Sequence, residues 1–247
     1  KAILTRFLDL QIFDEMLKIA KNQMLELRGE MKAAPDRDWG TLIQEKSSII
    51  ESLTSERQEI EQELSELDVR KVRGADNKTV YTVGSNENGN FLKAVADNAA
   101  SGLGKEVKID LNKTPFINIT WKIEKDLQGI NENSKKGHDF AARVFAVKKT
   151  GATPLSNRAI NYVFSSNSAV GQNWPSPYTK KSIDNVLATT KDNLNVWVSV
   201  KANVKEDFKK FHDLDVNELD GLAIMADTDN SKMKSISFFQ NIYFSAD

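Results

Sequence analysis

The sequence predicts a two-part α+β chain: an N-terminal antiparallel helical hairpin over residues 1–72, then an all-β sandwich or jelly roll over 73–247 with one short helix. Three observations predict it. Apolar residues recur with a helical period in the first part and with a period of two from Thr79 onward. Charge divides in the same way: residues 1–72 hold 11 Lys+Arg against 15 Asp+Glu, a net of −4, while the remainder holds 23 against 20, a net of +3. Asn22 is the single asparagine before residue 73, whereas the second part is crowded with Asn, Thr, Ser and aromatic residues. The boundary is placed in the polar stretch Val72–Lys78.

In the first part Leu10, Phe13, Leu17, Ala20, Met24, Leu27 and Met31 alternate spacings of three and four, which puts them on one helical stripe. Pro35 stops that helix, and Asp36 or Asp38 is placed to cap the next. The second stripe is Ile43, Ile50, Leu53, Ile60, Leu64 and Leu67. Each helix is about 30 residues, roughly 45 Å, and so short a link folds them back on each other. Leu8, Ile12, Ile19, Leu42 and Ile49 lie beside the seam and widen the stripe. A stripe wider than one mutual seam suits self-association or a helical partner, and it suits equally a face packed on the chain's own second domain. With Asp38-Trp39 between its helices, this stretch also resembles the small helical export chaperones of the flagellar system.

In the second part the strand candidates are Thr79–Val83, Phe91–Ala94, Val107–Leu111, Phe116–Ile123, Ala141–Lys148, Ala159–Ser165, Ser182–Leu187, Asn195–Asn203, Gly221–Asp227 and Ser235–Phe244. So many short strands, separated by turns, indicate an antiparallel sandwich or jelly roll. The short helix is placed at Val204–His212, with Glu206 and Asp207 in its first turn. Alternation puts Trp121 with Ile117, Ile119 and Ile123 in the core and leaves Trp197 on the other side of its strand.

Composition excludes several classes of function. With 34 Lys+Arg against 35 Asp+Glu, the chain lacks the basic surface that nucleic acid requires. No apolar run is long enough to span a bilayer. Cys 0 rules out disulfides, thiolate metal sites and cysteine nucleophiles, and His138 and His212 are too few for a multi-histidine centre. Nucleotide-binding glycine loops, the G-x-S-x-G elbow and H-E-x-x-H are all missing. The chain opens on Lys1, so its true N-terminus is expected to be missing.

Three clusters carry the remaining chemistry. Asp227, Asp229 and Asn230 follow an apolar strand, and their oxygens are the ligand types that Ca²⁺ prefers; the same residues also shape a tight turn. Asn173-Trp174-Pro175-Ser176-Pro177-Tyr178 is a proline-stiffened loop with two aromatic rings, suited to stacking on a sugar or to pinning the loop on the core through Trp174. Strand alternation brings Asp139 and Arg143 to one side, where they are expected to pair. Asp139, Asp207 and Asp227 would also supply the two acids of a glycosidase if the fold converged them.

The segments AASGLGKEVKIDL (99–111), FINITWKI (116–123), GHDFAARVF (137–145), AINYVFSS (159–166), NVWVSVKANVKEDFKKFH (195–212) and GLAIMADTDNSK (221–232) together resemble the bacterial DUF3047 family over about residues 76–247. The resemblance implies a β-sandwich, usually in exported proteins of Gram-negative bacteria, hence a periplasmic or extracellular location. Family members often carry two acids where this chain has His138-Asp139. The function expected is a non-catalytic binding domain for carbohydrate or cell-envelope material, contacting it through Trp174, Tyr178, Arg143 and Asp139. Its expected cofactor is none beyond a structural Ca²⁺ at Asp227, Asp229 and Asn230. The alternatives are an assembly protein that oligomerises through the hairpin and an enzyme acting on polysaccharide.

Overall fold

The computed structural model describes residues 16–30, 38–65, 68–71, 75–153 and 156–247, in two compact units: 6–66, and 67–247 together with 1–5. In the first unit, helix α1 covers residues 16–30 and helix α2 covers Trp39–Ser65. Asp38 caps α2: Thr41 donates its backbone N–H to Oδ1 at 3.4 Å and its hydroxyl to Oδ2 at 3.0 Å. Asp36, Leu10, Phe13, Met31 and Leu67 lie outside the described residues. Of the two stripes, Leu17 and Leu53 are buried and Ala20, Met24, Leu27, Ile43 and Ile50 half-buried. Ile19 and Ile49, beside the seam, are 55% and 49% exposed. No helix among the described residues is long and apolar enough to cross a membrane.

The second unit is a sandwich of two sheets. The seven-stranded sheet runs β1 (Asp68–Lys71), β4 (Ala100–Asp110), β11 (Glu218–Asp227), β6 (Ala142–Lys148), β7 (Arg158–Ser165), β9 (Thr179–Thr189), β8 (Asn173–Ser176). The five-stranded sheet runs β10 (Val198–Asn203), β5 (Phe116–Lys125), β12 (Lys234–Ser245), β3 (Gly89–Asp97), β2 (Val80–Asn86). Their inner faces meet where Trp121 packs on Phe164 with ring centroids 5.5 Å apart, among Ile117, Ile119, Ile123, Ile160, Tyr162 and Phe239. Successive strand residues alternate faces, so Asn161 and Val163 of β7, and Arg143 and Phe145 of β6, lie on the outer face of the seven-stranded sheet. The β2–β3 hairpin turns at Gly89 with φ 109°, a conformation open to glycine.

The sandwich departs from expectation in several places. Residues 68–71, expected as part of the helical hairpin, form β1 paired with β4, and β4 starts at Ala100 where a strand was expected from Val107. Strands β7 and β9 pair in parallel, because the chain between them crosses over instead of turning back. Part of that connection, expected as a loop, forms edge strand β8, where the missing N–H of Pro175 is tolerated. A four-residue helix α3 (Thr190–Asn193), capped by the Thr189 side chain, precedes the expected helix α4 (Val204–His212). Strand β6 begins at Ala142, so the alternation assumed for Asp139 does not reach it.

Candidate functional site

The connection from β5 to β6, residues 126–141, lies against the outer face of the seven-stranded sheet. Phe140 packs there with Val163 and Val186, and Trp174 of β8 is half-buried against the three of them. Glu132, only 2% exposed, fastens the connection. Its carboxylate accepts the backbone N–H groups of Ser166 at 2.8 Å and Asn167 at 3.3 Å, together with the hydroxyls of Ser165 and Ser168. These donors satisfy the acceptor oxygens of the buried carboxylate.

Beside Phe140 a polar chain continues across the sheet. His138 Nε2 lies 2.7 Å from Asp184 Oδ2, and the Asn161 amide donates to Asp184 Oδ1 at 2.8 Å. All three side chains are buried.

The next cluster contains the expected site residues. Asp139 is buried but does not pair with Arg143. Its carboxylate accepts the Asn230 backbone N–H at 3.2 Å, the Asn230 amide at 2.8 Å and the Ser231 N–H at 2.6 Å, so it organises the turn after β11. Arg143 pairs instead with Asp227 through Nη2 and Oδ2, and Asp227 Oδ1 also accepts the Phe140 N–H at 3.2 Å. Burial pushes Asp227 up to about 6 despite the attraction of Arg143. Burial and the neighbouring Asp139 likewise raise Asp229, which is half-buried.

One carboxylate oxygen from each of Asp139, Asp227 and Asp229 falls within 4.8 Å of the others. Two of the three expected Ca²⁺ ligands, Asp227 and Asp229, therefore come together, joined by Asp139. Asn230 turns its amide oxygen elsewhere, accepting the Tyr178 hydroxyl at 2.6 Å. The positive charge inside this cluster is the guanidinium of Arg143, and Asp139 and Asp227 are already engaged by hydrogen-bond donors.

Tyr178 forms the exposed lip of the site, with 55% of its surface accessible. Its hydroxyl is held by Asn230 and lies 3.1 Å from the Lys135 carbonyl oxygen. Its ring meets the His138 ring at 5.6 Å and 71°. Lys135 Nζ sits 5.8 Å from the ring centroid. Fixed at both ends, the ring loses little entropy when a ligand stacks on it. Of the four expected contacts, Tyr178 is thus exposed and Trp174 half-buried, while Arg143 and Asp139 are buried beneath them.

Sequence reasoning missed Asp184, Asn161 and Glu132, and it named His138 without giving it a place in the site. Asp184 had one visible signal, a carboxylate between the apolar residues of β9. Asp207, the third acid considered for glycosidase chemistry, is elsewhere: it sits in α4 and accepts the Tyr162 hydroxyl at 2.8 Å.

The chain is similar to the xyloglucanase domain of NopAA, a type three effector from Sinorhizobium fredii, at 10% identity over 73% of this chain and 94% of that one, with a TM-score of 0.42. It is similar to the family 30 carbohydrate-binding module of a Clostridium thermocellum cellulosomal cellulase at 8% identity, covering 74% and 92%, with a TM-score of 0.41. A family 12 xyloglucanase from Bacillus licheniformis gives 7% identity, 72% and 96% coverage and a TM-score of 0.35. No curated protein matches the chain. The family model for proteins of unknown function DUF3047 matches residues 65–243, nearly the whole sandwich, and the chain belongs to that family.

Proposed function

We propose that the sandwich is a glycan-binding domain whose contact point is the lip formed by Tyr178, Asp229 and Asn230. The observation that carries this reading is the Tyr178 ring, exposed over half its surface yet fixed through its hydroxyl and its edge. A sugar presents a C–H face that packs on such a ring and hydroxyls that need nearby acceptors. The half-buried Asp229 carboxylate supplies one. Asp139 and Arg143 act as positioning residues: they fix the 227–232 turn and do not touch the sugar. Trp174 supports the lip from below.

The test is a glycan array probed with the full chain, Tyr178→Ala and Tyr178→Phe, including cello-oligosaccharides and peptidoglycan fragments. Tyr178→Ala is expected to lose binding about tenfold or more, and Tyr178→Phe, which keeps the ring, to retain most of it. Equal binding by Tyr178→Ala would remove the reading.

A second reading concerns the helices. Ile19 and Ile49, both beside the seam, stand 55% and 49% exposed, which favours an association face on the hairpin. Sedimentation of the full chain against Ile19→Glu/Ile49→Glu tests it. A concentration-dependent oligomer that the double variant loses supports association, and a monomer in both ends it.

A further inference from the structure

On the other side of the sandwich, the outer face of the five-stranded sheet is neither plain nor neutral. Its register lines Lys122, Phe238, Lys93 and Thr82 across β5, β12, β3 and β2, and Trp197, the residue just before β10, joins them through its ring contacts with Phe91 and Phe238. Beside it lie Ser199, Thr120 and Gln240 across β10, β5 and β12, and Phe91 and Gly84 across β3 and β2. Phe91, Phe238 and Trp197 pack mutually, with ring centroids 5.3 to 6.0 Å apart. Gly84 makes room for this: a Cβ there would lie 2.6 Å from the Phe91 ring.

Two ammonium groups sit on the ring cluster. Lys122 Nζ is 4.3 Å from the Phe238 centroid and 5.6 Å from that of Trp197, and Lys93 Nζ is 5.5 Å from Phe238. Farther along the face, Lys201 Nζ lies 5.1 Å from the Phe116 ring, near exposed Tyr243. Among the described residues none of these three lysines has an ion-pair partner. Of the acids on the face, Asp97 is paired with Lys234 at 3.1 Å, which leaves exposed Glu124 at the end of β5. The face is therefore cationic in its middle while the chain as a whole carries −1.

We infer that this face binds an acidic polysaccharide, one whose sugars bear carboxylates. The half-buried rings of Trp197 and Phe91 offer packing surface over the buried Phe238, the lysines offer charge, and Thr120, Ser199 and Asn118 bring hydroxyl and amide groups that match a polyol. From β10 to β3 the platform crosses three strand intervals, about 14 Å, so an extended chain is engaged over several sugars. An extended peptide would seek a sheet edge for its backbone hydrogen bonds, and here the features lie on the flat of the sheet. A lipid surface would call for protruding aliphatic side chains, whereas these rings lie packed on one another. The site is separate from the Tyr178 lip and does not depend on it.

The probe is sodium polygalacturonate, with its methyl ester as the same backbone without charge. The full chain is expected to bind the polyuronate and to bind the ester at least about tenfold more weakly. Lys93→Gln/Lys122→Gln is expected to weaken polyuronate binding about tenfold and to flatten its dependence on salt, with an unchanged urea midpoint as the folding control. Trp197→Ala is expected to weaken both probes. Tyr178→Ala is expected to leave polyuronate binding intact, which separates this inference from the proposed function. No binding of the polyuronate, equal binding of ester and acid, loss only in Tyr178→Ala, or preferential binding of phosphatidylglycerol vesicles would each overturn it.

Discussion

The two outer faces of the sandwich use the same residue types in opposite ways. On the seven-stranded face the charges are buried: Arg143, Asp139, Asp184 and Asp227 are each 4% exposed or less. Their role is to fix the 126–141 connection and the turn after β11. On the five-stranded face the charges sit at the surface on top of rings, and among the described residues no carboxylate pairs with the central lysines. A buried pair holds shape and resists exchange, while an exposed ammonium on a ring keeps its charge available to a partner. Burial of polar groups thus marks where the molecule spends them on its own geometry. Surface charge left unpaired marks where it has something to offer.

The comparison breaks first at Arg143. Arg143→Met strands Asp227 in the interior and is expected to cost about 3–5 kcal/mol in urea unfolding, with part recovered in Arg143→Met/Asp227→Asn. A loss below about 1 kcal/mol would mean that the seven-stranded face is not organised by this pair.

The tryptophans give the next largest contrast. Trp174→Ala removes a ring packed on Phe140, Val163 and Val186 and is expected to cost about 2–3 kcal/mol. Trp197→Ala, on a solvent-facing platform, is expected to cost about 1 kcal/mol or less while acting on binding. Similar destabilisation by both would erase the distinction drawn between structural and presented aromatics.

Titration separates two carboxylates at the opposite ends of β11. Burial holds Asp227 at about 6 in the folded chain, above its ordinary 3.8, so the folded state takes up this proton first. The associated stability is complete below the ordinary value and is lost as pH rises through about 6. Denaturation midpoints should therefore show a component that falls over this range and is missing in Asp227→Asn. Asp220 on β11 behaves in the reverse sense. Burial opposes its ionisation, but Lys108, Lys148 and the Lys149 N–H outweigh it and bring the group down to about 2. Its contribution is present above the ordinary carboxylate range and is lost as pH falls through about 2, so Asp220→Asn should destabilise at neutral pH and converge on the parent chain in strong acid.

A small effect on stability is expected at Gly84. Gly84→Ala displaces the Phe91 ring and is expected to cost about 1 kcal/mol while disturbing the ring platform, measured as weaker polygalacturonate binding. Normal binding by this variant would show that the platform does not need Phe91 in place.

Much of the sandwich was legible because alternation is a local property. Trp121 and its isoleucines read as core from spacing alone, and all are buried. The candidate site was legible only in its ingredients. Tyr178, Asp139, Arg143 and Asp227 were singled out, but Arg143 was matched to the nearer acid when its partner lies 84 residues away. The local argument needed β6 to extend back to Asp139, and the strand starts three residues later. Glu132 sits in an Asn-, Ser- and Lys-rich stretch that reads as a solvated turn; what buries it is the 165–168 segment folded around its carboxylate, which no spacing rule reports. The lysine–aromatic platform was hidden for a related reason. Its members come from elements far apart in the chain, and alternation turns only Trp197, Ser199 and Lys201 of one of them away from the core.

The parallel pairing of β7 with β9 has a further consequence. Two parallel neighbours cannot be joined by a tight turn, so the chain between Ser165 and Thr179 has to travel back along the sheet before β9 begins. Trp174 and Tyr178 are carried on that obligatory return path. Within that path Asn173–Ser176 are tied into the ladder as β8 and Trp174 is held against the sheet, whereas Tyr178 stands exposed beyond β8. Topology thereby sets aside one position at which the exposed side chain can change while the strand order stays fixed.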